Sequence, residues 1–360
     1  MSREDSKKKL KDFGLTLVKQ AEGGQNPFMD VPIRALSNIV FNQKSKTITL
    51  GDKSSKRYFF NVAHVRKFVQ TVEAAATAKE MIGENKHLSL RQTFYRMRRT
   101  IPGTDIDIVD EQEESNKAIE DLELITGLSR EELHINANKN GSVAGKVVIE
   151  DKGDVIDWSK LGSGGWAIPS NVEEIKFKKV SAKFVIYMEK AAMWERLHED
   201  RLWDKMDCII MASQGQATRG IRRLLERLHH EYKLPVYVLV DGDPWGAYIY
   251  SVLKYGSISL AHISEKLAIP GVRFLGLSAE DVTKYGLQKH KIKFQPVDIA
   301  RIKQVRKYAW FKDNKAWQNQ FDLWEKFGGK VELDALVNKG ISFVSETYIP
   351  DKIRKKEWIE

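Results

Sequence analysis

Three short apolar runs in the second half of the chain restrict its fold more than any other feature: KFVIYM at 183–188, CIIMA at 208–212 and VYVLV at 236–240. Each has the length of a strand and is bounded by a helical pattern. That alternation is the signature of a mostly parallel sheet in an α/β domain. In such open sheets ligands gather beyond the carboxyl ends of the strands. Acids placed directly after the apolar runs are therefore the first candidates for a site. Glu189 follows the first run, and Asp241 and Asp243 follow the third in the string VDGDPWGAY.

Ahead of these runs, LGSGGW at 161–166 reads as a flexible joint, and the pattern upstream of it is helical. The stretch 62–85 is Ala-rich with apolar spacing near the helical period and stops at a Gly and an Asn. Ser89 is placed to cap a second helix, LRQTFYRMRRT, which ends before Pro102, and a third runs from 111 to 126 up to Gly127. LHINAN, a Gly141-Ser142 turn and KVVIED follow, suggesting a small β-wing. Helices then wing is the order expected of a winged helix, a helix-turn-helix variant that meets DNA. Residues 3–21 form a basic, amphipathic stretch and 39–50 a strand and turn, together resembling an arm. The expected division is thus an arm at 1–61, a winged-helix domain at 62–160 and an α/β domain with C-terminal elaborations at 161–360, an α+β and α/β multidomain chain. Trp310, Trp317 and Trp324 recur at sevenfold spacing, more in keeping with a core or interface stripe than a base-stacking platform.

A chain of 360 residues with 42% hydrophobic content can bury a proper core. Its formal charge of +10 favours an acidic polymer or anionic surface as partner, though many proteins share such a balance. The single cysteine, Cys208, excludes an intramolecular disulfide and a cysteine-rich zinc site, in keeping with a reducing cytoplasm. No apolar stretch reaches the length of a membrane span and the polar start is no secretory signal, so a soluble, intracellular protein is expected.

Glu189, Asp241 and Asp243 make an incomplete oxygen-ligand set of the kind a hard divalent cation such as Mg²⁺ accepts, with phosphate and water completing its shell. The competing reading is turn chemistry at Asp-Gly-Asp-Pro and a solvated helix start at Glu189. Arg219, Arg222 and Arg223 in the opening turns of a helix after CIIMA could hold a phosphate, or form a basic solvent-facing surface. Tyr95 lies on the second helix with Arg91 four residues before and Arg99 four after, on one face, with Arg96 and Arg98 nearby. A phenol ordinarily ionises near pH 10 and attacks poorly unless cations or a metal stabilise its anion. Alone, a Tyr among arginines is more often a surface residue.

The strings RALSNIVF, RQTFY, DEQEESNKAIEDLE, LSREELHINANKNGSVAG, YMEK, QGQATRGIRRLL and, most specifically, VDGDPWGAYIYSVLKYGS resemble the A subunit of archaeal type IIB topoisomerases, the topoisomerase VI family. That family is related to the eukaryotic meiotic break-forming protein. The resemblance runs from about Arg34 to the C-terminus. It implies a winged helix carrying a cleaving tyrosine and a toprim domain carrying a metal-binding Glu and Asp-x-Asp. On these positions it implies Tyr95 as nucleophile, Arg91 at the scissile phosphate, Glu189 and Asp241 as Mg²⁺ ligands, and Asp243 binding or supporting the metal. Gln92 stands where the family usually has an acid, and Phe94 leaves Tyr95 as the lone phenol of the motif. The resemblance also implies a homodimer of such chains on double-stranded DNA, each tyrosine working with the other chain's metal, in an A2B2 assembly whose B subunit binds ATP. The stretch before about Val62 would contact that second component. GSVAGKV at 141–147 departs from a phosphate-loop motif in spacing and in lacking Ser/Thr after Lys146, so no nucleotide site is expected here. The alternatives are a toprim nuclease in which Tyr95 is idle, and a break-forming DNA-binding protein without strand passage.

Overall fold

The computed structural model describes residues 2–360, which divide into two compact units. The first comprises the chain up to Val40, Thr49–Asn138 and Ile258–Ile263. Its long helix Val65–Glu84 ends on Asn85 in the left-handed conformation, and Gln112–Thr126 ends likewise on Gly127. The short helix Leu90–Met97 lies between them in sequence. Ala74, Ala78, Ile82, Phe94, Met97, Ile119 and Leu122 from these three helices share one core. Leu88–Ser89 pairs in parallel with Ile135–Asn136 beside the short helix.

The expected arm is not an extension. Helix Arg3–Glu22 places Leu10 in the same core, and Arg3 donates to the carbonyls of Ile82 (2.7 Å) and Gly83 (2.6 Å), meeting the orphan acceptors at the end of Val65–Glu84. Strand Phe28–Pro32 pairs antiparallel with Ser54–Tyr58, and Arg57 of that hairpin binds Asp121 at 2.5 Å. An apolar stripe on a basic helix is enough to dock it, which composition alone conceals.

The second unit comprises Phe41–Ile48, Lys139–Ser257 and Ser264–Glu360. Its six-stranded sheet has the order Trp166–Ala167, Ser142–Gly145, Cys208–Ala212, Phe184–Met188, Val236–Leu239, Arg273–Gly276. The last four strands are mutually parallel, and Ser142–Gly145 runs antiparallel to both of its neighbours. Phe184–Met188 and Cys208–Ala212 are buried at every position, as their unbroken apolar runs require. Helices Arg219–Tyr232 and Pro244–Tyr255 follow strands of the sheet. Trp317 and Trp324 are fully buried, Trp317 stacking on Tyr250 at 5.0 Å between ring centres, and Trp310 is nearly so, a core stripe.

Two expectations are corrected here. The chain divides at Asn138–Lys139, not at the glycine joint. Of the segments expected as a wing, Ile135–Asn136 stays in the helical unit, but the two that follow belong elsewhere. Ser142–Gly145 is a strand of the large sheet, while Val147–Asp151 forms a three-stranded antiparallel sheet with Asp154–Asp157 and Lys176–Val180. The glycines explain the first: a Cβ on Gly141 (φ +85°) would lie 2.3 Å from the Ala212 carbonyl oxygen, and one on Gly145 (φ +152°) 2.7 Å from that of Cys208. The glycines of GSVAGKV allow this close strand approach. No described helix is long and apolar enough to cross a membrane.

Candidate functional site

Tyr95 sits on Leu90–Met97, a helix anchored by Thr93, Phe94 and Met97, all buried. Tyr95 faces away and is 57% exposed, available to a polymer from solution. Ser89 starts the helix with a reciprocal cap: its Oγ accepts from the Gln92 N–H at 3.1 Å, and Gln92 Oε1 accepts from the Ser89 N–H at 2.8 Å. Gln92 thus has a structural assignment that a carboxylate could also fill.

Arg91 Nη2 donates to the Tyr95 phenolic oxygen at 3.2 Å, with the guanidinium 5.3 Å from the ring centre. Its Nη1 donates to Gln112 Oε1 at 3.0 Å. The other arginines differ from expectation. Arg99 lies beyond the helix end and pairs with Glu73, Arg96 pairs with Glu80, and Arg98 reaches Asp107 at 3.4 Å. Of the shared face, only Arg91 is brought to the phenol.

In the second unit the acids stand at the carboxyl ends of neighbouring parallel strands: Glu189 after Phe184–Met188, and Asp241 and Asp243 after Val236–Leu239. Burial, then the nearby Asp241 and Asp243 charges, raises the Glu189 carboxyl above the usual range. Burial also raises Asp241, against the Leu333 N–H and Lys190. Asp243, 8% exposed, is pushed up to about 6 by burial, partly opposed by the Gly246 N–H and reinforced by Asp241. Carboxylates that raise one another are short of positive charge.

Their oxygens have partners. Asp241 Oδ1 accepts from the Leu333 N–H at 2.8 Å, and Lys190 Nζ is 3.2 Å from Asp241 Oδ2. Asp243 is the N-cap of Pro244–Tyr255, its Oδ1 accepting from the Gly246 N–H at 2.7 Å. Lys190 also reaches Glu332 (3.1 Å) and Asp334 (2.9 Å). Burial opposes the Lys190 charge, but Asp334, Asp241 and Glu332 outweigh it and raise the amine above its ordinary value. Among the described residues no three acids or imidazoles stand at metal-ligand spacing. The chemistry of the set nonetheless fits a hard divalent cation: all-oxygen donors, mutually destabilised as anions, with a tethered ammonium at one of them.

The three basic residues expected at a phosphate are not a solvent face. Arg222 is 2% exposed, and burial together with Arg219 lowers its guanidinium to about 10. Arg223 pairs with Glu173 and Glu226. Sequence reasoning missed Gln112, Lys190, Glu332 and Asp334. Lys190 was marked only by adjacency to Glu189, and nothing local marks the other three.

Three family models cover most of the chain. Residues 66–135 match "Type IIB DNA topoisomerase", residues 138–181 match "All-beta domain in DNA topoisomerase VI alpha subunit", and residues 184–353 match the toprim domain of the topoisomerase 6 A-subunit/Spo11 family. The middle match holds the three-stranded sheet. The A subunit of type 2 DNA topoisomerase 6 from Pyrococcus horikoshii is 45% identical over 97% of this chain and 94% of its own length, and that from Pyrococcus abyssi 46% over the same shares. The A subunit of DNA topoisomerase 6 from Arabidopsis thaliana is 33% identical over 95% of this chain and 79% of its own. Identity at this level along nearly the whole length, with the toprim match spanning Glu189, Asp241 and Asp243, makes the chain a member of the topoisomerase 6 A-subunit family.

Proposed function

We propose that the chain is the DNA-cleaving subunit of a type IIB topoisomerase and that Tyr95 is its nucleophile. The observation that carries this reading is the exposed phenol with an arginine N–H on its oxygen, in a chain of this family. The Tyr95 oxygen attacks the scissile phosphorus, the bond from phosphorus to the 3′-oxygen breaks, the phenolic proton is lost and the 3′-oxygen gains one. A 5′-phosphotyrosyl link and a free 3′-hydroxyl result. Because the link keeps a phosphate ester, the hydroxyl can return and reseal the strand without ATP for ligation. Arg91 stabilises the developing charge on the phenol and reaches toward the phosphate.

Glu189 and Asp241, with Asp243 supporting or binding, would hold Mg²⁺, and the bound ion supplies charge neutralisation at the phosphate. Two chains act as a dimer on one duplex, each tyrosine working with the partner's acids, so both strands open. An ATP-binding B subunit in an A2B2 assembly couples this to strand passage. The helical unit, which carries Tyr95, binds duplex DNA. The N-terminal segment contacts the B subunit. Exposed Leu15 and Val18 on helix Arg3–Glu22 support that last placement.

The test mixes this chain, its B subunit, Mg²⁺ and a non-hydrolysable ATP analogue with end-labelled plasmid, then denatures and looks for labelled protein. Wild type gives a covalent adduct and Tyr95→Phe gives none. Equal cutting by both, with no adduct, means a toprim nuclease instead.

A further inference from the structure

Four arginines lie on or beside the helix that carries Tyr95, and three of them are matched to carboxylates: Arg96 to Glu80, Arg98 to Asp107, Arg99 to Glu73. Arg91 has no carboxylate partner among the described residues. Its guanidinium is held instead by the neutral amide of Gln112, through Nη1 at 3.0 Å, while Nη2 donates to the phenol at 3.2 Å. A carboxylate in the Gln112 position would hold the guanidinium as well but cancel its charge. An amide holds it and leaves the charge for the phosphate.

The platform under Gln112 is firm. Gln112 opens helix Gln112–Thr126, whose start is closed by Glu114 Oε2 accepting from the Asp110 N–H at 2.7 Å. Arg66 ties Asp110 (2.6 Å) and Glu114 (3.1 Å) to Val65–Glu84. Buried Ser115 donates to the Gln112 carbonyl at 2.8 Å. Two fixed helices therefore present the two ends of one three-residue chain, amide to guanidinium to phenol.

We infer that Gln112 is a positioning residue for the cleavage reaction: it holds the Arg91 guanidinium on the Tyr95 phenol without neutralising it. The inference rests on Tyr95 being the nucleophile. Gln112→Ala keeps the Arg91 charge and loses its position. Gln112→Glu keeps the position and cancels the charge. Each slows adduct formation about ten- to a hundredfold, the cost of misplacing or silencing one preorganised group, while duplex affinity without cleavage falls by no more than the loss of the single Arg91 contact, as in Arg91→Ala. Combined with Arg91→Ala, Gln112→Ala has no further effect, since it acts only through that guanidinium.

The experiment measures single-turnover adduct formation and DNA affinity for wild type, Tyr95→Phe, Gln112→Ala, Gln112→Glu, Arg91→Ala and the Gln112→Ala/Arg91→Ala double variant, each with Mg²⁺ and the B subunit, and each with its melting temperature recorded. Non-additivity of the double variant with slow Gln112→Glu supports the inference. With Tyr95→Phe inactive, a Gln112→Ala defect that persists in the Arg91→Ala background, or Gln112→Glu cutting at the wild-type rate, overturns it alone. An adduct in Tyr95→Phe overturns the nucleophile reading and this inference with it.

Discussion

Asp243 joins two demands in one side chain. It caps helix Pro244–Tyr255 through the Gly246 N–H and belongs to the acidic set. Its carboxyl, raised to about 6 from an ordinary value of 3.8, is easier to charge in the unfolded chain than in the folded one. Its contribution to stability is therefore fully present below about pH 3.8 and is lost as pH rises through about 6. Asn retains the capping oxygen and carries no charge. Asp243→Asn without metal should exceed wild type at pH 7 by roughly 2–3 kcal/mol and lack this group's gain in stability between pH 6 and 4, as read from urea melts across that range. A variant that merely matches wild type at every pH would mean the carboxyl is not held at this cost. With divalent metal added the order should reverse, wild type gaining more in melting temperature than Asp243→Asn.

At the scale of elements, the strand Ser142–Gly145 and the helix Leu90–Met97 make opposite points about reading a sequence. Ser89 was legible as a helix start because a cap is a local device, four residues long, although its reciprocal partner Gln92 was not read as part of it. Ser89→Ala should cost about 1 kcal/mol, while Gln92→Glu, which keeps an acceptor for the Ser89 N–H, should leave thermal stability unchanged in melts. Ser142–Gly145 was not legible. Its partner is Cys208–Ala212, more than sixty residues on, and a turn followed by apolar residues looks alike in a wing and in a larger sheet. Gly141→Ala should destabilise by about 2 kcal/mol or more, from strain at positive φ and a clash with the Ala212 carbonyl. A loss no larger than for Gly153, whose added Cβ would meet open space, would contradict the close approach.

Across the whole molecule, what was readable followed from periodicity and adjacency. The unbroken runs at 184–188 and 208–212 are central strands, and Glu189, Asp241 and Asp243 do gather at the carboxyl edge of the sheet. What was unreadable depended on long-range docking: the N-terminal helix on the helical core, and Glu332 and Asp334 on Lys190. The division of labour between units makes a whole-molecule prediction. Chelating divalent metal should abolish the covalent adduct while the metal-free chain still binds duplex DNA, its affinity falling steeply as salt rises, since the +10 charge and not the metal supplies the attraction. Filter binding and adduct assays in parallel with EDTA check this, and loss of both together would contradict it.

The hydrogen bonds on the two aspartates also bear on which ion the proposed site would favour. Asp241 Oδ1 is committed to the Leu333 N–H and Asp243 Oδ1 to the Gly246 N–H, so each aspartate has one oxygen already engaged by the backbone. A two-oxygen grip by either aspartate would have to share that oxygen with a backbone N–H. At the proposed site, a large cation that gathers six to eight oxygens, often through two-oxygen carboxylate grips, would find few of them, whereas a small octahedral ion that keeps most of its water would need only single-oxygen contacts. Discrimination between Ca²⁺ and Mg²⁺ in such a set is a matter of how many lone pairs the backbone has already claimed, before any ion arrives.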